Sequence, residues 1–216
     1  MQFNDVIGQD TIKQRIKQMI AEERVPHALL FAGPEGCGKL PMALALAQRL
    51  LCQHPTADGE PCGECVACRM AMKQAHPDLH FCFPTIKPSG QATAVVSDQF
   101  LPEWRKQIAT SPYFTRQTWL KCMGVEKQQS QIGVAESTNI LAKLANVSSQ
   151  GGYRVIIIWL AEQMNEECAN KLLKILEEPP AQTVFILTAN EPDHLLSTIL
   201  SRTQRIDFPP LSADEI

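Results

Sequence analysis

The chain has 216 residues, 44% of them hydrophobic and 20% charged, enough to bury a sizeable core in one large domain or two small ones. A formal charge of −3 gives no general attraction for phosphate backbones, so any nucleic-acid role is expected to be local or shared with partners. No apolar run reaches the roughly 18 residues of a spanning helix, and Met1-Gln2-Phe3-Asn4-Asp5 lacks the regions of a signal peptide, so the expected setting is cytoplasmic, with no membrane partner.

In chain order, Ile12, Ile16, Met19 and Ile20 share one face of a helix predicted over Asp10 to Glu23, with Asp10 as its cap and Val25-Pro26 after it. His27 to Ala32 is a short apolar strand that runs into a glycine-rich turn, and Met42 to Leu51 resumes a helical pattern. Further strands are expected at Leu79–Phe83, Val155–Leu160, Val184–Thr188 and Arg205–Phe208, with helices around Glu136–Val147 and Glu166–Glu177. This alternation predicts a mainly parallel α/β sheet. The stretch from Pro84 to Gln131 breaks the rhythm with Pro84, Pro88, Pro102 and Pro112 and reads as a partly helical insertion. Its aromatics Trp104, Tyr113, Phe114 and Trp119 fit a small packed subdomain; contact with nucleic acid through Trp104, Trp119, Arg105, Lys106 and Arg116 is the other reading. Ser212-Ala213-Asp214-Glu215 has the form of a capping box, so the expected division is one domain over 1–209 and the start of a second over 210–216.

Gly33-Pro34-Glu35-Gly36-Cys37-Gly38-Lys39 lies between a strand and a helix, the setting in which backbone N–H groups wrap a phosphate and a lysine neutralises it. Gly33, Gly36, Gly38 and Lys39 are the candidate phosphate-binding residues. The next position, where a P-loop NTPase places a magnesium-ligating hydroxyl, holds Leu40. The strand that should end in an acidic pair runs into Trp159-Leu160-Ala161-Glu162, and Leu160 and Ala161 are read as standing where the acids would be. A shift in register would promote Glu162. Phosphate holding survives these changes, magnesium positioning does not, and ATP binding is left open.

Cys52, Cys62, Cys65 and Cys68 form C-x9-C-x2-C-x2-C in a turn-rich segment with Pro55, Gly59, Pro61 and Gly63. Four thiolates so spaced suit one tetrahedral zinc ion in a closed, structural site, a module of about 52–76; four reduced thiols are the plain alternative. Cys37, Cys82, Cys122 and Cys168 are scattered and read as ordinary thiols.

Val6-Ile7-Gly8-Gln9, His27-Ala28-Leu29-Leu30, the phosphate loop, the four cysteines, Leu172 to Pro180 (LLKILEEPP) and Ser201-Arg202-Thr203 together resemble the AAA+ subunits of bacterial clamp loaders, over nearly all of the chain except the insertion of about 84–131. The resemblance implies a three-layer AAA+ P-loop fold, a five-stranded, mainly parallel sheet with helices on both faces, plus the small zinc knuckle and the insertion. Active motor subunits of that family keep an intact loop and strand-end acids; the delta-prime type often lacks both, and this chain is similar to that type. Carried over, the family's role for Arg202 is an arginine finger reaching ATP on the adjacent motor subunit, in a Ser-Arg-Cys motif that here reads Ser-Arg-Thr. Val6–Gln9 would line an adenine pocket, and Asn190 stands near the polar sensor.

The function so implied is that of a non-hydrolysing stator in the clamp loader of the DNA polymerase III holoenzyme. The implied partners are the motor subunits and the delta subunit, with the sliding clamp and primed DNA reached through the complex. Two alternatives remain at this point, an active AAA+ ATPase of motor type and a zinc-dependent nucleic-acid module.

Overall fold

The computed structural model describes residues 1–86, 95–125, 129–145, 148 and 151–215. Pro88, Val147 and Ile216 lie outside the described residues, as does part of the insertion. The elements are α1 (Asp10–Ala21), β1 (Ala28–Ala32), α2 (Lys39–Leu51), α3 (Val66–Met72), β2 (Leu79–Cys82), α4 (Leu101–Thr110), α5 (Arg116–Cys122), α6 (Val134–Ala145), β3 (Arg154–Ile158), α7 (Glu166–Glu177), β4 (Thr183–Ala189), α8 (Ser197–Leu200) and β5 (Gln204–Asp207).

The sheet order is β2-β3-β4-β1-β5, and every pairing is parallel. β1, β3 and β4 are buried along their whole length, which is why they read as continuous apolar runs. Side chains alternate between two cores. Leu29 and Phe31 of β1, Val155 and Ile157 of β3, and Val184 and Ile186 of β4 join α1 and α2 on one side. Leu30, Ile156, Ile158, Phe185 and Leu187 meet α6 and α7 on the other. This is the three-layer α/β architecture expected of the AAA+ resemblance.

Some boundaries differ from the sequence reading for local reasons. Gln9, with φ 59°, precedes α1 as its cap residue without a capping side-chain bond, and Asp10 lies inside the helix, paired to Lys13 at 2.9 Å. Asp10 therefore is not the cap. α2 begins at Lys39 rather than Met42, because the loop feeds directly into the helix.

The described part of the insertion packs into the core that α1 and α2 share with the sheet. Trp104 and Trp119 are fully buried, and their rings meet edge to face at 5.3 Å. Phe83 stacks on Trp104 at 4.3 Å and takes Trp119 on its edge at 4.9 Å. Each such pair adds about 0.5–1.5 kcal/mol beyond burial. Neither indole is available to stack on a base, so the nucleic-acid reading of these two tryptophans is not carried further. At the far end, the Ser212 N–H and hydroxyl both donate to Glu215 Oε2, at 2.8 and 2.7 Å.

Candidate functional site

The carboxyl ends of β1, β3 and β4 converge where parallel α/β sheets place their ligand sites. Gly33 leaves β1 so close to the neighbouring chain that a Cβ there would lie 2.3 Å from the Phe208 carbonyl oxygen. Gly38, with φ 92°, caps α2 in a conformation that side-chain-bearing residues rarely adopt. Both positions therefore favour glycine on backbone grounds.

Its lysine is turned inward. Lys39 Nζ donates to the carbonyls of Gly33 (2.7 Å) and Pro34 (2.5 Å) and lies 3.5 Å from Cys37 Sγ. Burial lowers its pKa, with Cys37 and Glu162 opposing that trend. Leu40 is buried against the loop at 4% exposure, with no oxygen to offer a metal.

The strand end corrects the register read from sequence. β3 stops at Ile158, and the residues lining the cavity beside Lys39 are Trp159 and Leu160. Ala161 is fully buried and belongs to the opposite core. After β3, Trp159 and Leu160 therefore line this cavity, where the sequence reading had looked to Leu160 and Ala161. Sequence reasoning placed the strand's end too late, at Leu160. Leu160 itself takes a left-handed conformation (φ 56°), which turns the chain away from the strand.

Glu162 lies beyond that turn. One oxygen accepts the Asn190 N–H at 2.9 Å, while the other is buried and makes no hydrogen bond. Burial raises its pKa, and the Asn190 amide and Lys39 pull it down. Asn190, directly after β4, lines the loop cavity.

One contribution was not foreseen: Pro112, Tyr113 and Phe114, from the turn between α4 and α5, line the same cavity. Tyr113 Oη accepts the Ile7 N–H at 2.8 Å, and the Arg116 N–H donates to Glu35 Oε1 at 3.2 Å. Only the clustering of aromatics in the insertion hinted that it packs as a unit; nothing in sequence order said against what.

The four cysteines do come together. Their sulfurs all lie within 4.8 Å of one another, with Cys52–Cys62 at 3.6 Å and Cys62–Cys68 at 3.9 Å. A tetrahedron with metal–sulfur bonds of about 2.3 Å has sulfurs about 3.8 Å apart. Backbone N–H groups already point at the sulfurs: Cys62 N at Cys52, Cys65 N at Cys62 and Cys68 N at Cys65, at 3.3–3.4 Å. The Cys65 and Glu64 amides hold the Cys62 thiol down to about 6, whereas burial pushes Cys52 and Cys68 up. A cation is what would let all four ionise together, so the donor set fits a metal such as zinc. The knuckle is tied to the body by Glu60, which accepts the Phe3 N–H (2.8 Å) and pairs with Lys17 (2.7 Å).

Arg202 stands apart from the cavity, in the turn between α8 and β5. Its guanidinium reaches Glu177 Oε2 from Nη2 and Nε, at 3.2 and 3.4 Å, and the Thr198 carbonyl from Nη1 at 3.0 Å. Its side chain is 29% exposed and that of Glu177 58%, so the pair is accessible from outside.

A family model described as DNA polymerase III, delta subunit, matches residues 8–212. The chain belongs to that clamp-loader family. Curated relatives include a DNA polymerase III subunit tau of Bacillus subtilis, 30% identical over 99% of this chain and 30% of the relative. A DNA polymerase III subunit delta' of the same species is 29% identical over 96% of this chain and 50% of the relative. The delta' of Pseudomonas aeruginosa is 32% identical over 82% of this chain and 41% of its own length. The chain thus spans about a third to a half of these relatives. Delta-prime subunits in several bacteria agree with the type read from the sequence. Overall identity to tau and to delta' is nearly equal, so the residues at the cleft have to separate the two kinds. Among the described residues no helix is long and apolar enough to cross a membrane.

Proposed function

We propose that the chain is the nucleotide-fold domain of a non-hydrolysing stator in the clamp loader, which holds neighbouring subunits and lends Arg202 to ATP bound next door. One observation carries this reading. Leu40 follows Lys39, and Trp159 and Leu160 follow β3 at the cavity, so none of the three offers a side-chain oxygen where this reading looks for the magnesium hydroxyl and the strand-end carboxylate. Without those oxygens the cleft has no means of placing the metal and the attacking water. A guanidinium such as Arg202 spreads charge over several phosphate oxygens and does its work in trans without any of them. Its accessible setting beside Glu177 supports that role.

The partners of this reading are the motor and delta subunits, with the sliding clamp and primed DNA reached through the assembly in the cytoplasm. We further propose that Cys52, Cys62, Cys65 and Cys68 hold one structural zinc, since no fifth ligand position is needed. Residues 210–216 are proposed to open a lid domain, with Ser212 and Glu215 forming the start of its first helix.

The test is ATP hydrolysis by the full-length subunit alone and in its assembly. The subunit alone should show no magnesium-dependent turnover, and Arg202→Ala should slow the assembly. Turnover by the lone subunit that Lys39→Ala abolishes would establish the alternative, a motor-type ATPase.

A further inference from the structure

The turn between α4 and α5 is fastened to the phosphate loop and to the segments beside it. The Tyr113 ring packs 3.7 Å from where a Cβ on Gly38 would stand, and its hydroxyl accepts the Ile7 N–H at 2.8 Å. Arg116 donates its backbone N–H to Glu35 Oε1, within the loop itself, at 3.2 Å. Phe114 lies on Trp159 with centroids 4.9 Å apart, and through Trp159 on the buried Trp104.

What remains above the loop is about 30 Å³, room for a water or two, where small-ligand sites need about 300 Å³ or more. Glycine loops bind phosphate through backbone N–H groups that a ligand must approach closely. Here Tyr113 and Phe114 line that approach, with Tyr113 over Gly38, and Lys39 is engaged with loop carbonyls.

We infer that Pro112–Arg116 is an intramolecular stopper that keeps nucleotide out of this chain's own phosphate loop, with Tyr113 as the occupying side chain. The inference deepens the stator reading. A subunit whose cleft is filled by its own chain keeps one conformation while neighbours cycle through nucleotide states. The loss of the strand-end acid and the closing of the cleft share one residue, because Trp159 both replaces a carboxylate and anchors Phe114.

A stopper that holds the cleft shut most of the time weakens apparent affinity by the fraction of open cleft. The probe is a fluorescent ADP carrying a methylanthraniloyl group, titrated into the full-length subunit. Wild type should show no saturable binding, Tyr113→Ala should gain at least about tenfold in affinity, and adding Lys39→Ala should remove the gain. A folded Tyr113→Ala protein with no gain overturns the stopper. Amide NMR of the wild type decides independently should that variant fail to fold. Millimolar ADP should leave the Ile7, Gly36 and Gly38 amides unshifted, and shifts at them with Tyr113 in place overturn the inference. Binding by wild type without turnover sinks the stopper and spares the stator. A gain in Tyr113→Ala beside an assembly indifferent to Arg202→Ala does the reverse.

Discussion

Phe114 and Trp159 lie against one another beside the phosphate loop, their ring centroids 4.9 Å apart and their planes inclined by 47°. Trp159 occupies the first position after β3 and is only 5% exposed. Converting it to Asp puts a carboxylate among Trp104 and Phe114 and removes a large buried ring. The expected cost is about 3–5 kcal/mol from lost packing alone, read as a lower urea midpoint, with no ATPase gained because Leu40 remains. Magnesium-dependent turnover by Trp159→Asp would contradict the reading of the cleft.

Metal content gives a second prediction. Purified protein should carry about one zinc per chain by elemental analysis, and Cys65→Ser with Cys68→Ser should carry none. Removing zinc with a strong chelator should lower the melting temperature, because the free energy of binding the metal at the four converging sulfurs is lost from the folded state alone. A metal-free preparation that is equally stable would leave the cysteines as reduced thiols.

Glu60 is the joint between knuckle and body, 3% exposed, with the Phe3 amide and Lys17 as its partners. Glu60→Ala strands both, and loss of one member of a buried pair costs about 3–5 kcal/mol. A double-mutant cycle with Lys17→Ala, followed by denaturant unfolding, separates the ion pair from the amide bond. Coupling near zero would mean that Lys17 contributes little.

Arg202→Ala should change activity without changing the fold. Its pair with Glu177 is partly exposed, so stability should fall by no more than about 1 kcal/mol, whereas assembly ATPase should drop about tenfold or more. Equal ATPase rates for the two assemblies would remove the finger.

Glu136 supplies a pH signature. It is fully buried, accepts from Ser97, and burial raises its pKa above the ordinary 4.5. The unfolded chain therefore releases this proton first. Stability falls as pH rises from about 4.5 toward the folded value, by at most about 1.4 kcal/mol per pH unit. Glu136→Gln has no proton to lose, so its stability relative to wild type should climb between about pH 4 and pH 7. A constant difference across that range, measured by urea unfolding, would show that Glu136 ionises freely in the fold.

The sequence reading placed all five strands to within two residues at each boundary; β1, β3 and β4, buried along their whole length, read as continuous apolar runs. α7 keeps the expected bounds: Pro179-Pro180 end it, and in the structure the Asn165 side chain caps its start. The cap of α1 was misplaced because Gly8 and Gln9 both take positive φ, a backbone choice that residue type alone signals weakly. The cysteine spacing anticipated their convergence, because ligands separated by short turns can meet only locally.

The residue types themselves, a phosphate loop without its hydroxyl and four closely spaced cysteines, were determined by the sequence. Which residues stand at the strand end was a matter of register, and one residue of slip exchanges the two faces of a strand. Only the tertiary structure decided that Trp159 holds that place and that Tyr113, 75 residues or so along from Gly38, closes over the same loop. Contacts between segments so far apart depend on how the sheet and its insertion pack, and no local pattern encodes them.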